Sequence, residues 1–522
     1  MKSFLDQHAQ KILGTLRGFD RLRLRGTFRQ LAYTDGMLTM LSFLGVLLKD
    51  FAEFAQQTTG KLRSGVQAVA DQAGQPIRYL PSSAIDKEAL VNEIVRQQGV
   101  GSEGIIAVLS AVEVCRSFDV HRNRQQKILE LKVVPRKCLH YYVYMNDPLF
   151  GRTQVRIQTW FPFNIHIVLN GREWLSRQMD QAGLAYQRRD NCFCWISDFA
   201  QAQKLLDKQL RIDWIKQLTR LLDRANPILR RLLMPWEMTP YWSSEQTEWA
   251  TDIAFRSGKT LSRLFPGLIH HAMRTFDSQG VMRFLGRRFD RQPYINGHFK
   301  KEVVSDVAFR PEGMRIKHRV GENAIKMYDK QGSVLRVETT INKASDLKTY
   351  RTKEGDPNGE KSYRRLRKSV VDLRRRAQLS DGANQRYLDG LATHHPTVPL
   401  KTLADPLSRP VIVNGRRYRA LNPFSETDDQ LLRAIACGTH LIKGFRNADI
   451  RQALFGPDPD DPAKIRRLAS RTTRLLALLK AHRLIKKIPQ THRYQLTKNA
   501  KQKIPAILAA REASVEYLLN AA

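Results

Sequence analysis

The chain carries 87 Lys+Arg against 50 Asp+Glu over 522 residues, a formal net charge of +37, and this excess limits what it can fold into. Like charge confined to one compact globule repels itself and destabilises the compact state. A polyanionic partner relieves that repulsion, because each Lys or Arg set on a phosphate releases a condensed counterion. The expected partner is therefore nucleic acid. Apolar residues make up 42% of the chain, enough for genuine cores, which excludes a basic disordered tail.

At ~100–200 residues per domain, the length accommodates three or four domains. The longest apolar run, Met37 to Leu48, is interrupted by Thr39, Ser42 and Gly45. It falls short of the ~20 residues a bilayer demands. The start, Met1-Lys2-Ser3-Phe4-Leu5-Asp6, lacks the layout of a signal peptide, and an odd count of five cysteines does not suit a disulfide framework. These features predict a cytoplasmic protein with no membrane partner. Cys192 and Cys194 are too close for the usual zinc spacing, so no structural zinc is expected.

Periodicity predicts an α+β, multidomain chain of antiparallel-sheet domains with helical connectors. Residues 1–118 alternate helix-like and strand-like segments, including a strand with a basic face at Arg21-Leu22-Arg23-Leu24-Arg25 and a buried helix over 37–55. Residues 119–215 read as an α+β domain with strands over 127–134, 138–145, 153–161 and 164–169. A helical connector over 216–299 precedes a β-hairpin sheet and basic helix over 300–395. A Pro-dotted linker over 396–423, a domain over 424–500 and a helix over 501–522 complete the chain.

The 424–500 stretch has the sharpest local pattern. Ser425 is placed to cap a first helix over Leu431, Leu432 and Ile435, and Gly444 and Asn447 lead into a second, 448–455. The Pro- and Asp-rich loop 456–462 then separates it from a long third helix, 464–482. On that helix Leu468, Thr472, Leu475 and Leu479 form one stripe, and Arg467, Arg471 and Arg474 lie together on another side. A basic hairpin, Leu484-Ile485-Lys486-Lys487-Ile488 and Tyr494-Gln495-Leu496-Thr497, follows. This order resembles the winged helix-turn-helix domains of bacterial DNA-binding proteins. The resemblance implies a third helix in the major groove, with Arg467, Arg471 and Arg474 facing DNA and Arg493 on the wing. The whole-chain layout also resembles a family of bacterial proteins, a likeness that implies no activity.

A second segment runs from Lys326-Met327-Tyr328-Asp329-Lys330 through Gln331-Gly332 to Arg336-Val337-Glu338. It resembles the replication initiators of rolling-circle plasmids and filamentous phages. That resemblance implies acids placing Mg²⁺ or Mn²⁺ beside a tyrosine that attacks a phosphodiester, with Asp329, Glu338 and Asp306 as metal ligands and Tyr387 as nucleophile. Tyr363 is the other tyrosine in sequence range. A two-residue turn at Gln331-Gly332 would set Asp329, Arg336 and Glu338 on one face. The acids would then be about 13 Å apart along the strands, which suits an ion-pair ladder through Arg336 better than one metal shared by two acids. Asp306 or Glu302 from a neighbouring strand would have to complete a metal site. No His-hydrophobic-His motif accompanies the segment.

Basic residues gather elsewhere. Residues 361–376 hold Arg364, Arg365, Lys368 and Arg375 around an apolar stripe of Leu366, Val370, Leu373 and Ala377, as in a helix that tracks phosphates. In 119–215, Arg136, Lys137, Arg152 and Arg156 interleave with Tyr141, Tyr142, Tyr144 and Trp160, a pattern open to base stacking or to a packed core. Together these features predict a DNA-binding protein of bacterial or mobile-element type, acting in replication, recombination or transposition with metal-dependent strand cleavage. The alternative is a non-enzymatic RNA-binding partner of a structured RNA.

Overall fold

The computed structural model describes residues 1–98, 103–233, 235, 238–276, 278–286, 303–311, 313–353, 355, 356, 358–392, 401, 404–437, 440, 444–489 and 491–513. Its strands are β1 (Ile12–Thr27), β2 (Ile77–Leu80), β3 (Gly104–Asn123), β4 (Ile128–Asp147), β5 (Gly151–Gln158), β6 (Ile165–Asn170), β7 (Tyr186–Arg189), β8 (Cys192–Ile196) and β9 (Tyr241–Phe255). They continue as β10 (Val303–Arg310), β11 (Gly313–Val320), β12 (Asn323–Lys330), β13 (Val334–Ile341), β14 (Lys348–Arg351), β15 (Ser362–Arg365), β16 (Val411–Val413), β17 (Arg416–Tyr418), β18 (Ile485–Lys487) and β19 (Tyr494–Leu496). Helices and strands are both abundant, an α+β mix. Among the described residues no helix is long and apolar enough to cross a membrane.

The chain divides into two compact units, each assembled from separated stretches. An N-terminal unit takes residues 15–250 and 340–378; a C-terminal unit takes 1–14, 251–339 and 379–522. β9 contributes residues to both.

In the N-terminal unit the strand order is β9-β1-β6-β5-β4-β3-β2, with β2 parallel to β3. Alternation puts Leu22, Leu24, Val143, Val155, Ile165 and Ile167 into one core, together with Phe51, Leu62 and Val66 of the helix Phe51–Gln72. Leu80 and, from the helix Lys87–Gln98, Val91 and Ile94 bury Ala107, Leu109, Tyr142 and Tyr144 in a second cluster. Those tyrosines are thus core residues, and Tyr141 and Trp160 are buried as well. The base-stacking reading of Tyr141, Tyr142, Tyr144 and Trp160 is corrected: a helix covers the sheet where bases would lie.

In the C-terminal unit the order is β10-β11-β12-β13-β9. Ile316, Ile325, Met327, Leu335 and Val337 pack against Leu261 and Leu268 of the helix Gly258–Thr275 and against Leu388 and Leu391 of the helix Leu373–Leu391. A separate core gathers Leu431, Leu432, Ile435, Ile450, Leu476, Leu479, Leu484 and Leu496.

Several sequence expectations give way to this structure. The boundary at 118/119 falls inside β3, which pairs with β4 along its whole length, so no domain edge lies there. The segments 127–134 and 138–145 are one strand, β4, because Pro135 sits where β4 pairs with β3 alone and its missing N–H costs no ladder bond. The expected helix over 37–55 breaks at Gly45 (φ 64°) into Thr34–Phe43 and Phe51–Gln72. The connector 216–299 contains the long strand β9, whose inward positions include the buried polar residues Ser244, Thr247, Thr251 and Asp252. Apolar periodicity cannot reveal such a strand.

Part of the positive charge lies inside the protein. Arg172, Arg336 and Arg376 are among its largest fully buried side chains. Arg376 donates to the carbonyls of Ser244 and Arg367, and burial pushes its pKa down to about 10. Buried Asp147 accepts from Arg220 at 2.7 Å and 3.0 Å and from Arg224 at 2.8 Å. Burial alone would raise its pKa, but these bonds and the N–H groups of Leu149 and Phe150 outweigh burial and hold it below the ordinary value. Stability gained from a depressed carboxylate is present above its unfolded pKa of about 4 and is lost as pH falls through the folded value. The stability gap between wild type and Asp147→Asn is therefore expected to be clear at neutral pH and to close in acid, as read by urea denaturation at stepped pH.

Candidate nucleic-acid interface

Three helices and a hairpin build the basic surface at the C-terminal end. The first, Glu426–Ala436, starts where the Ser425 side chain accepts the Asp428 N–H. The second, Asn447–Phe455, carries a capping box with Asp449 accepting from the Arg446 N–H at 2.6 Å. Gly456, Pro457 and Pro459 then interrupt the helix, Pro462 opens the third helix, Pro462–Ala481, and the Asp461 side chain caps it by accepting from Ala463 N–H at 2.8 Å. Asn447 Nδ2 donates to Ala469 O (3.0 Å) and Thr473 Oγ1 (2.9 Å), fixing the second helix across the third.

The hairpin β18–β19 follows the third helix, and Phe445 forms a single β-bridge to it by exchanging bonds of 2.8 Å and 2.7 Å with Tyr494. Gly444 (φ 67°) makes that approach feasible, since a Cβ there would lie 2.2 Å from Tyr494 O.

Arg467, Arg471 and Arg474 are all exposed on the third helix, as are Arg466, Lys480, Lys486 and Lys487 on the helix and hairpin. Arg467 and Arg474 make no ion pair among the described residues. Arg471 stacks over the Phe455 ring at 5.0 Å, which orients it without neutralising it. Arg493 is different: it is half-buried and its Nη2 donates to Gly444 O at 3.2 Å, bracing the base of the hairpin. Lys486 and Lys487 belong to the hairpin that reads as basic from the sequence, but the wing contact was expected of Arg493 and not of this exposed pair. Negative charge near the start of the third helix is partly compensated, because Asp458 accepts from Arg451 at 2.8 Å and 2.7 Å.

The basic stretch 361–376 is not one helix. Residues 362–365 form β15, paired with β14, and the helix begins only at Leu373. The cross-strand pair Tyr350–Tyr363 and the Leu366 N–H bond to Leu347 O (2.8 Å) favour the ribbon over a helix. Arg365 and Lys368 are exposed and Arg364 is half-buried. Arg375 pairs with buried Asp372 at 2.6 Å, so it serves the fold rather than a phosphate. The stripe Leu366, Val370, Leu373 and Ala377 is fully buried, as its spacing indicates.

The residues expected to cleave do not converge. Three residues, Gln331 to Ser333, connect β12 to β13 where a two-residue turn was expected. That one-residue difference reverses the pleat relation. Asp329 alternates with Ile325 and Met327 toward the core side, whereas Arg336 and Glu338 alternate away from Leu335 and Val337. Burial raises the Asp329 pKa against a Gly332 N–H bond that lowers it. Arg336 is held by Asp252 at 2.6 Å and 2.9 Å, and Glu338 accepts from Lys326 at 2.7 Å. The ladder Asp329–Arg336–Glu338 is therefore absent.

Asp306 is opposite Lys317, and Lys317 is opposite Lys326, so two lysine-bearing strands separate Asp306 from Glu338. At ~4.8 Å per strand this is about 14 Å, too far for one ion. Asp306 pairs with Arg315 at 2.8 Å, and Glu302 lies outside the described residues. Asp329, Glu338 and Asp306 do not fit a shared Mg²⁺ or Mn²⁺.

Tyr387 is fully buried, packed on Phe276 (centroids 5.0 Å) and Phe284 (5.3 Å), with its hydroxyl 3.1 Å from His318 Nε2. Burial raises the Tyr387 pKa and pushes His318 down to about 4, so both are neutral. No phosphodiester reaches this hydroxyl; Tyr387 is a core residue. Comparison with protein-family models, curated proteins and solved structures finds no match for the chain.

Proposed function

We propose that this is a nucleic-acid-binding protein whose residues 424–500 form a winged helix for duplex DNA, serving replication, recombination or transposition of a mobile element. The observation that carries the reading is the exposed row Arg467, Arg471 and Arg474 on a helix clamped by Asn447 and flanked by Lys486 and Lys487 of the hairpin. The three-helix order, the cap residues and the two-stranded hairpin bridged to Phe445 all agree with a winged helix. In such a domain the third helix enters the major groove and the hairpin follows the backbone. Lys486 and Lys487 then take the wing's phosphate contacts, since Arg493 is engaged within the domain. The reading is one of binding alone, because Tyr387 and the three acids form no cleavage centre.

The test is the salt dependence of duplex binding by the full chain. The slope of log K against log salt is expected to be about −0.9 per neutralised phosphate, so several contacts give a steep decline. A slope near zero between low and physiological salt overturns the reading. Stronger binding to a structured RNA than to duplex DNA at equal salt would transfer it to the RNA alternative.

A further inference from the structure

The ribbon β14–β15 has two faces of different character. Its register sets Lys348 opposite Arg365 and Tyr350 opposite Tyr363. Opposed residues two apart share a face, so these four side chains stand together. All four are exposed, with Tyr350 at 60% and Tyr363 at 47%, and the tyrosine rings lie 5.2 Å apart at 52°. On the other face Thr349, Arg364, Arg351 and Ser362 are partly covered. The ribbon is anchored at its base by Leu347 and Leu366, both buried, and braced where Arg351 Nη2 donates to Arg365 O at 3.3 Å.

We propose that the face formed by Lys348, Tyr350, Tyr363 and Arg365 is a stacking platform for single-stranded nucleic acid. Two adjacent aromatic rings in water, each with a cation beside it on its own strand, match a strand whose bases are unstacked and whose phosphates run alongside. Every base has a π-face, so such a platform is tolerant of sequence, and the cations add the backbone term. A duplex keeps its base faces inside its own stack and offers this surface only phosphates. An acidic protein segment would satisfy Lys348 and Arg365 but would leave the paired rings without flat partners. The proposal shares nucleic acid as the partner with the function proposed above, but uses a different surface and a different strand state.

The experiment uses the full chain and fluorescence polarisation with two probes, an oligothymidine of roughly 16 nucleotides, the upper range of one site, and a blunt duplex. Tyr350→Ala with Tyr363→Ala is expected to lower single-strand affinity by roughly 5- to 150-fold for each lost base stack. Duplex affinity should stay unchanged. The double substitution to Phe keeps the rings and should restore single-strand binding. Circular dichroism verifies that the Ala variant is folded. Overturning results are wild-type protein that does not bind oligothymidine, an Ala variant that binds it as well as wild type, or equal losses on both probes. Failure of the winged-helix reading would instead abolish the duplex signal and leave the Tyr-dependent single-strand signal in place.

Discussion

Asp252→Ala should destabilise the protein by about 3–5 kcal/mol, the cost of removing one member of a buried ion pair. The charge left behind is Arg336, fully buried and bonded through Nε and Nη2 to the Asp252 carboxylate. Water cannot reach the guanidinium to replace those bonds, and Arg cannot shed its proton to escape. A control separates the value of the pair from the cost of breaking it. Asp252→Leu combined with Arg336→Met removes both charges and fills similar volume, and buried pairs exchanged in this way are often neutral or better. Urea denaturation should therefore place the double variant much closer to wild type than Asp252→Ala. If the single and double variants were equally destabilised, the loss would come from packing and not from the ion pair.

Arg467→Ala, Arg471→Ala and Arg474→Ala combined should reduce duplex affinity by at least ~100-fold, since each arginine that reaches a base edge is worth about 1–3 kcal/mol. The three side chains are exposed, and Ala is a better helix former, so the fold should survive. Only the Arg471 contact with the Phe455 ring is lost internally, a term of about 0.5–1 kcal/mol at an exposed site. If all three also neutralise phosphates, the salt slope should become shallower by about 2.7, three times the single-contact value of 0.9. Polarisation on duplex DNA across a salt series measures both quantities. Unchanged affinity in a folded triple variant would mean that the third helix faces something other than DNA.

The C-terminal elements were legible because each has a local signal: Ser425 caps, the Pro-Asp loop interrupts, and the leucines repeat at helical spacing. The long strand β9 had no such signal. Its buried Thr251 and Asp252 are satisfied by distant partners, the Asn384 amide and the Arg336 guanidinium, and no window of sequence contains both ends of such a bond. The acids of the β12–β13 hairpin failed for a smaller reason. One extra loop residue, Ser333, turned Asp329 to the face opposite Glu338, a change that hydrophobic pattern near a turn does not resolve. Tyr387 illustrates the same limit, because its helix position could be read while the Phe276 and Phe284 rings enclosing it could not.

The interleaving of the two units imposes an order on synthesis. Residues 15–250 cannot complete their unit until 340–378 emerge, and residues 1–14 wait for 251–339. Within the sheet, β9 ends at Phe255 and its neighbour β13 begins only at Val334, so a nascent chain holds that edge of β9 open while the residues between are made, roughly 4–16 s at ~5–20 residues per second. Unpaired strand edges are templates for aggregation, so this interval is when a chaperone would act on the chain. Gene truncations placed at 250 or 339 would leave the N-terminal unit without residues 340–378, whereas a cut within 396–423 leaves every segment of that unit on one fragment.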